Sequence, residues 1–284
     1  MRHPVVAGQF YPKEKNQLLA SIKECFLHEL GVGYLPNNSP NPKSKNNLKA
    51  IISPHAGYVF SGPCMSHVFS EIARARTPDA YIVIGVSHYG FETSLSDEDF
   101  ETPLGVLKNN TELTGLISRS CNIEIRNHNH KHEHSLEVLL PFLQFVKGSE
   151  VTIVPLIIGQ EDLKKIKELG NTIKSTLSKS GKDVVFLVSS DFTHFGANYG
   201  YYPNEQVEKL DKKAINFILK ASTEELFDFY QETGVTICGI FPIMVLLESI
   251  DFSKSQLLSY YTSSQIMSMN ESSSVSYAAV SFHS

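Results

Sequence analysis

Three histidines fall at equivalent places in this sequence, each just past a short apolar run. His55 closes Ile51-Ile52-Ser53-Pro54-His55, and His88 closes Ile82-Val83-Ile84-Gly85-Val86-Ser87-His88. His194 follows Val185-Phe186-Leu187-Val188 through Ser189-Ser190-Asp191-Phe192-Thr193. Such β-branched runs read as buried strands, so each imidazole is expected at a strand's carboxyl end. In open α/β sheets that rim is where loops converge on ligands. A single histidine there reads equally well as a loop residue bonded to the backbone, but three at matching positions point to one site. Imidazole binds metals and moves protons near neutral pH. Cys238, in Thr236-Ile237-Cys238-Gly239 ahead of an apolar helix, is the fourth candidate. A helix N-terminus favours thiolate, which is both metal ligand and nucleophile. The other reading of Cys238 is a buried structural thiol.

The segment His128-Asn129-His130-Lys131-His132-Glu133-His134 alternates histidine with polar residues. His128, His130 and His132 are expected on an exposed loop with adventitious metal affinity. His134 opens His134-Ser135-Leu136-Glu137, and spacing of three puts His134 and Glu137 on one helical face, in a capping or supporting role behind the site. Cys25, Cys64 and Cys121 lie on helical faces or ends with no partner motif. Four scattered cysteines without a CxxC pair exclude a disulfide framework and a zinc knuckle. The glycines near the site loops match neither GxGxxG nor P-loop spacing, so no organic cofactor is expected.

The elements that must position these groups alternate. Apolar runs at 50–52, 80–84, 151–154 and 184–188 are separated by helical patterns, which predicts a mostly parallel central sheet with helices on both faces. Helices are expected at 14–30, 161–178, 205–220, 222–231 and 239–250, and closing, antiparallel strands at 256–262 and 274–282. Residues 36–42 read as a polar loop and 89–108 as an irregular excursion or hairpin. One domain, 1–284, is expected.

Composition narrows the function. Hydrophobic residues make up 42% and charged residues 19%, the balance of an ordinary globular chain. A net charge of -5 gives no electrostatic reason for a nucleic-acid partner. No run reaches the roughly 18 apolar residues of a membrane span, and the start lacks a signal-peptide core. The expected location is cytoplasmic.

Seven blocks resemble the Memo family. They are Ala7-Gly8-Gln9-Phe10-Tyr11-Pro12, Ser53-Pro54-His55-Ala56-Gly57-Tyr58, Gly85-Val86-Ser87-His88, Glu133-His134-Ser135-Leu136-Glu137, Ser189-Ser190-Asp191-Phe192-Thr193-His194, Thr236-Ile237-Cys238-Gly239 and Ser273-Ser274-Val275-Ser276-Tyr277-Ala278-Ala279. They span the chain in order. The N-terminal form resembles the branch called AmmeMemoRadiSam system protein B, which implies radical-SAM and AMMECR-type proteins as partners. The family is similar in fold to class III extradiol dioxygenases, where two histidines and a carboxylate hold Fe(II) and another histidine is the acid/base. The resemblance implies His55 and His88 as metal ligands, Cys238 in the carboxylate's place and His194 as acid/base. Asp191 would orient His194 or contact the metal. Animal members carry Arg-His after the Cys-Gly where this chain has Ile240-Phe241, so any contact made by that pair is not implied here.

Three functions follow. The first is a metal-dependent redox enzyme, an oxygenase on an unknown small substrate, using iron(II) or copper with zinc as a further candidate. The second is a non-catalytic binding or adaptor module that recognises a peptide or partner protein. The third is a hydrolase that uses Cys238 or zinc.

Overall fold

Each apolar run becomes a strand because successive side chains point to opposite faces and both faces are covered. Ile51, Tyr81, Val83 and Leu187 pack on one face, and Ile52, Ile82, Ile84 and Val188 on the other. The protein is known here from a computed structural model that describes residues 1–36, 48–267 and 272–284. Beyond Pro36, the polar loop expected at 36–42 lies outside the described residues.

The strands are β1 (Leu48–Ser53), β2 (Ala80–Val86), β3 (Ser94–Leu95), β4 (Phe100–Thr102), β5 (Gly105–Asn109), β6 (Thr152–Ile158), β7 (Val184–Ser189), β8 (His194–Gly196), β9 (Lys254–Thr262) and β10 (Ser273–His283). They form one sheet in the order β4-β5-β6-β2-β7-β1-β10-β8, with β3 against β6 and β9 against β10. The run from β5 to β1 is parallel. The closing strands β9 and β10 pair antiparallel, as expected, and β10 lies antiparallel to β1. The 89–108 excursion contains a hairpin, β4 with β5, and β5 then extends the sheet beside β6.

The helices are α1 (Lys15–Leu27), α2 (Tyr58–Arg74), α3 (Thr111–Cys121), α4 (Asn127–His130), α5 (Leu140–Lys147), α6 (Leu163–Ser180), α7 (Val207–Leu219), α8 (Thr223–Thr233), α9 (Ile240–Ser249) and the short α10 (Ser263–Met267). Helices α1, α2 and α5 cover one face of the sheet, and α3 and α6 to α9 the other. Helix α9 is buried almost all round, which explains its unbroken apolar sequence. Among the described residues no helix is long and apolar enough to cross a membrane.

On the first face, Phe142 meets Tyr58, Phe69 and Phe26 at centroid distances of 4.9, 5.2 and 5.7 Å. It is fully buried. Phe142→Ala is expected to cost about 3–5 kcal/mol through lost contacts and a cavity, read as a lower urea midpoint at unchanged slope.

Candidate metal centre

Strands β2, β7 and β1 are sheet neighbours, and their carboxyl ends release the loops that carry the site. His55 lies two residues beyond β1, His88 two beyond β2, and His194 starts β8 after the loop that leaves β7. The structure brings His55 and His88 together with His134, all three offering ligand atoms within 4.8 Å of one another. The ring of His55 stands at 90° to those of His88 and His134, with centroids 5.3 and 5.6 Å away. His88 and His134 stack at 4.5 Å. Cys238 Sγ lies 3.4 Å from His55 Nε2. His55 is buried, while His88 keeps 30% of its side chain exposed, so the cluster opens to solvent on the His88 side.

The hydrogen bonds decide where the ring protons sit. Ser189 Oγ lies 2.6 Å from the Ser135 carbonyl, which can only accept, so the serine's one proton goes there. Toward His55 Nδ1, also 2.6 Å away, the serine must accept. His55 therefore carries its proton on Nδ1 and leaves Nε2 bare. His88 Nδ1–H donates to Glu133 Oε1 at 2.9 Å. His194 Nδ1–H donates to the Thr236 carbonyl at 3.1 Å. In their neutral forms three of the four site imidazoles thus turn Nε2 lone pairs outward, the arrangement by which supporting groups prepare histidines for metal. His134 has no such tie; Glu133 Oε1 is 3.8 Å from its Nδ1.

The supporting carboxylate is Glu133, not Glu137. Glu133 is buried and also accepts from the His88 and Ser135 N–H groups, both at 2.8 Å. Glu137 opens a 3-10 turn, and its carboxylate is bonded to the N-terminal segment and to none of the site imidazoles. It pairs with the Arg2 guanidinium and accepts from Val5 N, Val6 N and Tyr11 Oη at 2.9, 3.0 and 2.5 Å. It pins the N-terminal segment, and that segment sets Phe10 edge-on against His134 at 4.9 Å. The expectation that His134 and Glu137 share a helical face fails because regular helix begins only at Leu140. Of the alternating histidines, His128 and His132 are exposed, but His130 is fully buried and its Nε2–H donates to the Ser94 carbonyl at 3.1 Å. Position alone did not reveal Ser189, Thr236 and Glu133 as partners. For Glu133 a signal existed: it precedes His134, and polar residues bracket that whole segment.

Asp191 accepts the His55 N–H at 2.8 Å, and its carboxylate approaches His55 Nε2 to 4.0 Å. It does not bond to the His194 ring. The Asp191 N–H donates to Cys238 Sγ at 3.2 Å. Gly239 makes this seat possible, since a Cβ there would come within 2.4 Å of Ser190 Cβ and 2.5 Å of the Ser189 carbonyl. Gly85 does the same for β2, where a Cβ would meet Ser135 Oγ at 2.4 Å.

Burial dominates the charges. It lowers His55 far below the ordinary histidine range, helped by His88, His134 and His194. Burial, with His88, lowers His134 to about 4. For Glu133, burial pushes upward but is outweighed by the His88 ring and the backbone N–H donors, and the carboxyl falls to about 2. Burial raises Asp191 against the pull of His194. Burial and then Asp191 raise the Cys238 thiol well above its usual value. The expected thiolate at the helix N-terminus is therefore absent from the metal-free protein, because desolvation outweighs the helix dipole. The thiol proton has two acceptors in reach, the His55 Nε2 at 3.4 Å and the Asp191 carbonyl at 3.5 Å.

A sequence model of the family described as Memo-like protein matches residues 2–281. A MEMO1 family protein of Methanopyrus kandleri is 34% identical over 290 residues, covering 99% of this chain and 98% of the relative. Another, of Desulfurococcus amylolyticus, is 35% identical over 288 residues and covers 99% of both. Among solved structures, an uncharacterized protein from Escherichia coli K12 superposes with a TM-score of 0.53 at 13% identity. That match covers 82% of this chain and 99% of the other, and it speaks to the fold alone.

Acid should destabilise the protein. His130 and His134 titrate near 4 in the folded state, and His55 also lies below its ordinary value. From about pH 6.5 downward the unfolded chain binds protons that these rings refuse. Stability then rises with pH because the unfolded state holds more protons. The Glu133 stabilisation, complete above its ordinary value, is lost toward about 2, the same sign. Burial raises Asp191 and Asp211, which acts with the opposite sign, so the histidine contribution is read as a difference: the drop in urea midpoint from about pH 7 to about pH 4.5 should be smaller in His130→Asn than in wild type, and an equal drop would contradict the assignment.

Proposed function

The chain belongs to the Memo-like family, and we propose that within it this protein is a metal-dependent redox enzyme acting on a small substrate. One observation carries the reading: buried acceptors hold a proton on Nδ1 of both His55 and His88, which makes Nε2 of each neutral ring the available donor, and the two rings offer ligand nitrogens within 4.8 Å of one another. His55, His88 and Cys238 would hold the metal, with His134 as a further nitrogen donor within reach. Two imidazoles and a sulfur suit iron(II) or copper, and also zinc. When bound, iron or copper supplies one-electron chemistry and Lewis acidity at positions the protein leaves open.

The chain's own residues supply the rest. Ser189 and Glu133 hold the ligand rings in orientation, and Asp191 ties the His55 backbone to the Cys238 seat. His194 keeps Nε2 free to take or give a proton, with Nδ1–H anchored on Thr236. The partly exposed side at His88 is the way in for substrate. A hydrolase built on Cys238 is less favoured, because a thiol held protonated by burial is a poor nucleophile.

Metal analysis of protein purified without oxygen tests the reading. Near-stoichiometric iron or copper is expected, and His55→Ala and His88→Ala should each lose it. A wild-type protein that binds no metal under any condition would overturn the proposal. The proton positions add a sharper outcome. At a pH where the imidazoles are neutral, binding should release about one proton per ion, from Cys238. In weakly buffered solution this release is expected to vanish in Cys238→Ser.

A further inference from the structure

Helix α7 turns Leu210, Ala214, Ile215 and Ile218 into the core, and Asp211 lies buried on the same apolar stripe. A carboxylate there is costly unless hydrogen bonds satisfy it. Its Oδ1 accepts from Thr193 Oγ1 at 2.6 Å and from the Thr193 N–H at 3.3 Å. Its Oδ2 accepts from the Tyr260 hydroxyl at 2.8 Å, and the Ser276 side chain bonds it as well. Two of these bonds go to one residue, through both its backbone and its side chain, which fixes the orientation of Thr193.

Thr193 is not an ordinary neighbour. It lies between Asp191 and His194, on the segment that also carries Ser189. Strand β10 holds the same stretch from the side: Phe192 N–H donates to the Ser276 carbonyl at 2.8 Å, and Ser276 N–H to the Thr193 carbonyl at 3.1 Å. Beyond Thr193, the His194 N–H donates to Thr236 Oγ1 at 2.9 Å, and Thr236 Oγ1–H returns to the His194 carbonyl at 2.6 Å. The backbone bonds set the height of the segment, while the Asp211 bonds set its rotation.

We propose that Asp211 is a positioning residue for the candidate centre: by clamping Thr193 from α7 it determines where the His194 ring and the Asp191 carboxylate sit. The inference deepens the proposed function, since it rests on His194 and Asp191 serving that centre. An apolar residue at 211 would suit the helix stripe equally well but would leave the Thr193 N–H and hydroxyl without an acceptor.

The test uses metal-free full-length protein with nitrogen-labelled histidine, observed by NMR. In wild type, His194 should show one tautomer with its proton on Nδ1. Asp211→Ala and Thr193→Val are each expected to shift this signal or lose it to exchange. The His130 signal, held by the Ser94 carbonyl of β3 and by none of the clamp residues, should stay in place and reports that the fold is intact. Asp211→Asn keeps an oxygen acceptor for Thr193 and should retain most of the wild-type signal. A folded Asp211→Ala protein with unmoved His194 signals would overturn the proposal. Should that variant fail to fold, unmoved His194 signals in Thr193→Val would overturn it instead. Because no metal is present, the outcome stands apart from metal analysis: a wild type that binds no metal defeats the function and leaves this measurement unchanged.

Discussion

For three of the four rings at the centre, another part of the fold has claimed the proton on the far side and so fixed which nitrogen can act as donor. Ser189 does this for His55, Glu133 for His88 and the Thr236 carbonyl for His194. These acceptors come from the end of β7, from the segment ahead of the 3-10 turn and from the segment before α9. The donor set is therefore a property of how three distant pieces of chain meet. If the Ser189 hydroxyl were freed from the Ser135 carbonyl, its proton could turn toward His55 and the lone pair would change sides. The chemistry depends on that small rotation being forbidden.

The sheet supplies the rigidity. Strands β2, β7 and β1 are buried on both faces, and their ladder bonds fix the spacing of the loops that carry His88, Asp191 and His55. Two close approaches complete the frame. Gly239 lets the start of α9 lie against Ser189 and Ser190, and Gly85 lets β2 lie against Ser135 and Leu136. From below, the Arg2–Glu137 pair and its backbone donors hold the N-terminal segment so that Phe10 walls His134. Buried ion pairs of this kind add little net stability but make the loss of one partner costly, which favours a single arrangement.

Desolvation gives the centre its second character. The same burial that keeps His55 and His134 neutral also keeps Cys238 protonated, beside two buried carboxyls, Asp191 and Glu133. A cation entering from the His88 side would find lone pairs on nitrogen and one removable proton on sulfur. That state suits metal capture better than nucleophilic attack, because burial holds the Cys238 thiol protonated against the helix dipole.

Much of the architecture was legible in the chain. Continuous β-branched runs alternating with amphipathic helices specify a covered parallel sheet, and histidines placed just past such runs must lie along one rim. Hence His55, His88 and His194 could be singled out from local pattern. What local pattern could not resolve was the partnership of each ring. Spacing of three linked His134 to Glu137, yet the chain is not helical there, and Glu133 took the role behind His88 while Glu137 turned to the N-terminal segment. The charge on Cys238 was misjudged for a related reason: the helix dipole is written in the sequence, but the desolvation that opposes it depends on what packs around the sulfur. Residue type and period are enough to specify the sheet and its rim, because they set which strands are buried. Proton positions and charge arise on folding, because they are set by acceptors and burial contributed by residues dozens of positions away.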